Sequence, residues 1–90
     1  MPWKPITTEA ALGVNTVAAS NVGSSRYVRL LNTAAVGTEH LVTLEESGGT
    51  DIGTFSLEGQ QEVIIQKDPS DKLFAANAAV MAVGVAINSN

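Results

Sequence analysis

Short runs rich in Val, Ile, Leu and Thr recur about every ten residues along this chain, each closed off by a cluster of Gly, Asn, Asp, Ser or Pro. An interval of that length holds one strand of ~5–6 residues and a tight turn, but no helix long enough to bury an apolar stripe. No segment carries the 3.6-residue apolar period that a helix-rich domain needs. The pattern predicts an all-β fold, a small antiparallel β-sandwich or barrel of six to seven strands with an extended N-terminal arm.

The strongest single instance is Gly59 to Ala75, G-Q-Q-E-V-I-I-Q-K-D-P-S-D-K-L-F-A. Gln61 to Lys67 reads as a strand with Val63 and Ile65 on one face and Ile64 on the other. The polar corner Asp68-Pro69-Ser70-Asp71 ends it, with the Asp68 side chain bonding nearby backbone in an Asx-type turn. Ser70 is placed to cap a short turn through Leu73, Phe74 and Ala75, which drops Leu73 and Phe74 into the core as a plug.

Upstream, Val14 to Ser20 alternates weakly and reads as an edge strand, followed by a turn at Asn21 to Ser24. Ser25 to Asn32 is a stronger strand, with Val28 and Leu30 pointing one way and Tyr27, Arg29 and Leu31 the other. Apolar groups on both faces place it centrally or under cover. In His40 to Glu46, Val42 and Leu44 point inward while Thr43 and Glu45 point outward. The glycines of Ser47 to Asp51 suit a hairpin, Ile52 to Leu57 returns as the partner, and Gly53 marks a bulge or a close backbone approach. After the Glu58-Gly59-Gln60 turn and the corner, Val80 to Ile87 alternates large with small. Met81, Val83, Val85 and Ile87 share one face, and Val80, Ala82, Gly84 and Ala86 the other. A strand with so flat a face is pressed against another sheet or another subunit.

The expected organisation is an arm over residues 1–13 and one sandwich domain over 14–90, since a chain of 90 residues supports a single modest core. Prolines on either side of Trp3 and Lys4 favour an extended arm, and Thr8 to Leu12 has room for one helical turn. The only tryptophan lies in this arm, where an indole either folds back on its own domain or docks on a neighbour. Trp3, Pro5 and Ile6 are therefore the candidate partner-binding residues.

Composition excludes several classes. With no cysteine, neither a disulfide scaffold nor a thiolate metal site nor a cysteine nucleophile is available. The net charge of -4 and five scattered Lys and Arg residues argue against a nucleic-acid partner. No apolar run approaches the ~20 residues of a membrane span, and the opening M-P-W-K-P-I lacks the pattern of a signal peptide, so use without export by the usual leader and without a membrane partner is expected.

No catalytic set emerges. His40 is the sole histidine, without a G-x-S-x-G elbow, and reads as a residue at a strand start. Glu45, Glu46, Asp51, Asp68 and Asp71 offer carboxylates, but a glycosidase pair needs a sugar-binding cleft, and the chain has only four aromatic residues to line one. The Asp68 to Asp71 corner lacks the alternating ligands of a calcium loop. Gly48-Gly49, Gly53 and Gly59 form no phosphate cradle, since no Lys-Ser/Thr follows. No enzyme activity, cofactor or metal is expected.

The strand end R-L-L-N-T at Arg29 to Thr33, the region G-G-T-D-I-G-T-F, the corner K-D-P-S-D-K-L at Lys67 to Leu73 and the closing A-V-M-A-V-G-V-A-I resemble small virion proteins of tailed bacteriophages, especially those of marine and cyanobacterial phages. The likeness runs from about Arg26 to Ile87 and leaves the arm unmatched. It implies a non-enzymatic β-sandwich structural protein, a capsid decoration or cement protein that binds the outer surface of the head and stabilises it. The implied partners are the major capsid protein or other virion subunits, a homo-oligomer is expected, and the implied location is the virion, assembled in the host cytoplasm. A neck, tail or fibre-attachment component and a free-standing glycan-binding β-module are the alternatives.

Overall fold

The computed structural model describes residues 2–87. Among the described residues eight strands form two antiparallel sheets: β1 (Trp3–Pro5), β2 (Ala10–Ala11), β3 (Tyr27–Asn32), β4 (His40–Glu45), β5 (Asp51–Leu57), β6 (Glu62–Gln66), β7 (Lys72–Ala75) and β8 (Val80–Ile87). The larger sheet has the order β1-β8-β3-β6, with β2 also on the β1 edge of β8, and the smaller sheet is β5-β4-β7. This is the small β-sandwich expected from the spacing of the turns.

The core lies between the sheets and is built from Val28, Leu30, Val80, Ala82 and Leu12 on one side and Val42, Leu57, Leu73 and Ala75 on the other. Leu44, Phe55, Val63 and Ile65 pack at its rim. The face assignments for β3 and β6 hold, and β3 is central, flanked by β6 and β8. Of the two faces of β8, the small one turns inward. A Cβ added at Gly84 would lie 1.9 Å from Ser25 Oγ and 3.0 Å from Thr7 Cγ2, so only hydrogen fits there. The bulge foreseen at Gly53 is present, because Leu44 faces Gly53 while Glu45 faces Asp51, leaving Ile52 as the extra residue.

The arm folds along its own sheet. β1 pairs with Val85–Ile87 and β2 with Met81–Ala82, and between and beyond them Ile6 N–H donates to Gly84 O (2.8 Å) and Leu12 N–H to Val80 O (2.9 Å). The helical turn expected at Thr8 to Leu12 is absent, because the edge of β8 pairs with Ala10 and Ala11 and accepts the Leu12 N–H.

Three further expectations are corrected. Val14 to Ser20 is not a strand. Thr16–Ala18 is a 3-10 turn whose Ala18 N–H is capped by Asn15 Oδ1 at 3.0 Å, and only Ser20 touches a ladder, as a bridge to Leu73. Local capture of the backbone by Asn15 outcompetes pairing here, and Val14 and Val17 remain exposed. Lys72–Ala75 is strand β7 and not a turn capped by Ser70, because β4 binds it along its length. Within the corner it is Asp71 whose Oδ2 accepts the Asp68 N–H (3.3 Å), and not the Asp68 side chain that bonds backbone. Thr43 and Glu45, expected to point outward, are both buried, and Thr16 lies against the Glu45 carboxylate.

The Asn21–Ser25 turn that enters β3 is unusual in backbone. Val22, Gly23 and Ser24 have φ of 54°, 65° and 57°, a left-handed stretch that a β-branched residue rarely adopts. It is held by Ser24 N–H donating to Asn21 Oδ1 (3.1 Å) and by Ser25 Oγ donating to Val22 O (2.5 Å), and it places the Val22 side chain in the core.

Candidate docking face

Because β8 turns its small residues inward, its large ones face out, and the register of the sheet decides what surrounds them. Val85 stands between Tyr27 of β3 and Pro5 of β1, Val83 beside Arg29, Met81 between Leu31 and Ala11, and Ile87 beside Trp3. Across β3, Arg29 faces Ile64 and Leu31 faces Glu62 of β6. The outer face of the larger sheet is thus an apolar field of Trp3, Pro5, Met81, Ile87, Leu31 and Ile64 over a floor of Val83 and Val85, with one cation near its centre. Four strands ~4.8 Å apart and three to eight residues long span roughly 350 Å², within the range in which the largest exposed patch on a monomer is often functional.

The cation is neutralised where it stands. Arg29 Nη1 donates to Glu9 Oε2 at 3.0 Å and Nε to Glu62 Oε2 at 2.5 Å, and the guanidinium lies 5.7 Å from the centre of the Trp3 ring. Such part-exposed ion pairs add little stability. Their consequence is local: they hold the Arg29 side chain on this face between Glu9 and Glu62 and near the Trp3 ring, beside its strand neighbour Val83, and Val83 and Val85 are 4% and 2% exposed. Of the nine acidic residues, these two flank the face, and the other seven (Glu39, Glu45, Glu46, Asp51, Glu58, Asp68 and Asp71) sit on the smaller sheet or in turns. The surface is nearly neutral and apolar on one side and acidic elsewhere.

Of the sequence-derived partner-binding residues, Trp3 and Pro5 lie on this face. Ile6 is exposed at the sheet edge at the level of Gly84, and strand alternation turns it to the other side. Pro2, Trp3, Lys4, Ala86 and Ile87 line a hollow of about 310 Å³ beside the face. Arg29, Leu31, Ile64 and Met81 were not singled out as site residues. The signals for them were present in the two-sided apolarity of Tyr27 to Asn32 and the large-small alternation of β8, which do not reveal which face points outward.

The remaining candidates stay apart. His40 is half-buried at the start of β4, opposite Leu57. Among the described residues no three His, Asp or Glu side chains are grouped to hold a metal ion, and no helix is long and apolar enough to cross a membrane. Glu45 is fully buried and takes its hydrogen bond from Thr16 Oγ1, at 3.0 and 2.9 Å from its two oxygens. Lys67 is buried at the exit of β6, where Nζ donates to Asp68 O (3.2 Å) and Pro69 O (3.4 Å). Burial pushes its pKa below the usual lysine value, against the opposing pull of Asp71 and Asp68. Both groups are spoken for by local structure. Comparison with protein-family models, curated proteins and solved structures finds no match to this chain.

Proposed function

We propose that this domain is a non-enzymatic structural subunit that lies flat on a larger assembly through the outer face of its β1-β8-β3-β6 sheet. The assembly is the head of a tailed bacteriophage, whose outer surface the domain decorates and stabilises, with the major capsid protein as its partner in the virion. The resemblance of Arg26 to Ile87 to small virion proteins supplies the phage context. The observation that carries the docking mode is the apolar field around Arg29, whose guanidinium is paired with Glu9 and Glu62, set against an otherwise acidic surface. A face of that kind has its one cation already paired and a single carboxylate charge in excess when it is covered, whereas the more acidic remainder favours solvent.

The test is co-sedimentation of purified protein with heads assembled without it. Saturable binding is expected, with Met81→Glu weakening it at least tenfold and Val17→Glu, in the exposed 3-10 turn, leaving it unchanged. Binding that is absent, or indifferent to Met81→Glu in a variant with native circular dichroism, would refute the docking face. Attachment to tails and not to heads would move the domain to the neck or tail.

A further inference from the structure

The two flanks of the sandwich differ. On one, the N-terminal segment closes both sheets: β1 and β2 cover β8, while Gly13 O accepts from Ala75 N–H (3.0 Å) and Ser20 exchanges two backbone bonds with Leu73 (2.8 and 3.0 Å) along β7. On the other flank lie β5 and β6, joined by the Glu58–Gln61 turn. Among the described residues β5 pairs with β4 alone and β6 with β3 alone. β5 is the longer of these open edges, seven residues reading D-I-G-T-F-S-L. It has no proline or lysine, its single charge, Asp51, stands at its end, and its one protective device is the bulge at Ile52, which leaves Gly53 to Leu57 as regular edge.

We propose that the β5 edge pairs with β5 of a second copy of this chain, antiparallel about a two-fold axis at Thr54, joining two three-stranded sheets into one of six. In that register Thr54 faces Thr54, Ile52 faces Ser56 and Gly53 faces Phe55. The match is self-complementary. A Cβ built at Gly53 meets nothing within 4 Å, so an open slot lies beside the half-buried Phe55, and each Phe55 ring fills the slot over the other copy's Gly53. Asp51 faces Leu57, and the two Asp51 carboxylates end up about 20 Å apart along the joint strand, beyond the ~8 Å screening length at physiological salt. The pairing therefore brings no like charges together in a chain of net charge -4.

A flank about 24 Å long and roughly 20 Å deep covers ~500 Å² per copy, ~1,000 Å² in all, at the lower limit of specific interfaces. Such a dimer dissociates in the micromolar range or above. The contact is independent of the docking face, which lies on the other sheet.

The absence of cysteine makes the register directly testable. Residues directly opposed in an antiparallel pair have Cβ atoms ~4.5–5.5 Å apart, close to disulfide reach, whereas two copies of residue 56 would sit about 14 Å apart along the strand. Thr54→Cys is expected to oxidise to a covalent dimer at least tenfold faster than Ser56→Cys or Ile52→Cys alone, and a mixture of the latter two to form the mixed dimer. Sedimentation equilibrium of the unmodified chain is expected to show a monomer–dimer equilibrium below 1 mM (~10⁻³ M, the weak limit for a specific contact). A chain that stays monomeric throughout, or cross-linking of Thr54→Cys no faster than of Ser56→Cys, would overturn the proposal.

Discussion

Asn32 ends β3 and is fully buried, and its side chain ties the larger sheet to the smaller one. Nδ2 donates to Leu57 O at the end of β5 (2.8 Å) and to Thr38 O (3.0 Å), while Oδ1 accepts from Ala34 N–H (3.0 Å). In Asn32→Ala the backbone bonds to Gln60 and Gln61 remain and these three are lost. The Leu57 carbonyl keeps its place in the ladder opposite His40 but loses the amide, and the three lost bonds are worth about 1 kcal/mol each, for a total of roughly 3 kcal/mol. Against the 5–13 kcal/mol or so that a domain of this size possesses, that is a large fraction, and it lowers the melting temperature by roughly 12–25 °C. Urea unfolding followed by far-UV circular dichroism measures it. Asn32→Asp retains the acceptor for Ala34 but sets a carboxylate against two carbonyl oxygens, so it should destabilise at least as much. A loss under about 1 kcal/mol for Asn32→Ala, or an Asn32→Asp variant as stable as the parent, would show that Asn32 does not bind the sheets together.

Gly59 is pressed against the Ala34–Ala35 loop, and a Cβ there would lie 1.9 Å from Ala35 O, so Gly59→Ala should cost about 2–3 kcal/mol by chemical denaturation, whereas Gly48→Ala, in open space, should be nearly neutral. Thr16→Val removes the hydroxyl from the buried Glu45 carboxylate and should destabilise by about 1–3 kcal/mol, while Val17→Ala next to it, at a side chain 92% exposed, leaves the urea midpoint unchanged. Lys67 has a folded pKa lowered from 10.5, so the unfolded chain holds the proton longer and stability from this group rises as pH climbs through the folded value toward 10.5; below it the penalty is fully present. Lys67→Met should abolish that rise, seen as a narrowing gap between the two proteins' urea midpoints at alkaline pH, and parallel pH profiles would count against it.

The strands with strict alternation were legible because period-2 patterns report burial directly. Val28 and Leu30, Val63 and Ile65, and the bulge at Gly53 are found where alternation and glycine chemistry place them. What alternation does not encode is which backbone finds which partner. Lys72–Ala75 is a strand because β4 runs beside it, and Val14 to Ser20 is not one because Asn15 caps a local turn before an edge can form. The burial of Glu45 was illegible for the same reason: its cover comes from a loop 29 residues away in sequence. Trp3 and Pro5 could be flagged on the docking face from their chemistry alone, but Arg29, Met81 and Ile64 join it only through the registers of three strands.

The apolarity of that face is not a by-product of the core. Gly84 has to meet Ser25 and Thr7 with hydrogen alone, which fixes the register of β8, and a slip of one residue would drive Val83 and Val85 into that space. The core therefore dictates that residues 81, 83, 85 and 87 point outward; Val83 and Val85, 4% and 2% exposed, are held apolar by their own burial, but the interior places no such demand on Met81 and Ile87. An acidic chain that keeps Met81 and Ile87 at those half-buried positions, and pairs the one neighbouring cation with Glu9 and Glu62, has a surface shaped by something other than its own folding. The proposed docking face and the proposed β5 edge meet at the right angle between a sandwich's face and its flank. One copy can therefore rest on a shell through the first while holding its neighbour through the second, and neither contact obstructs the other.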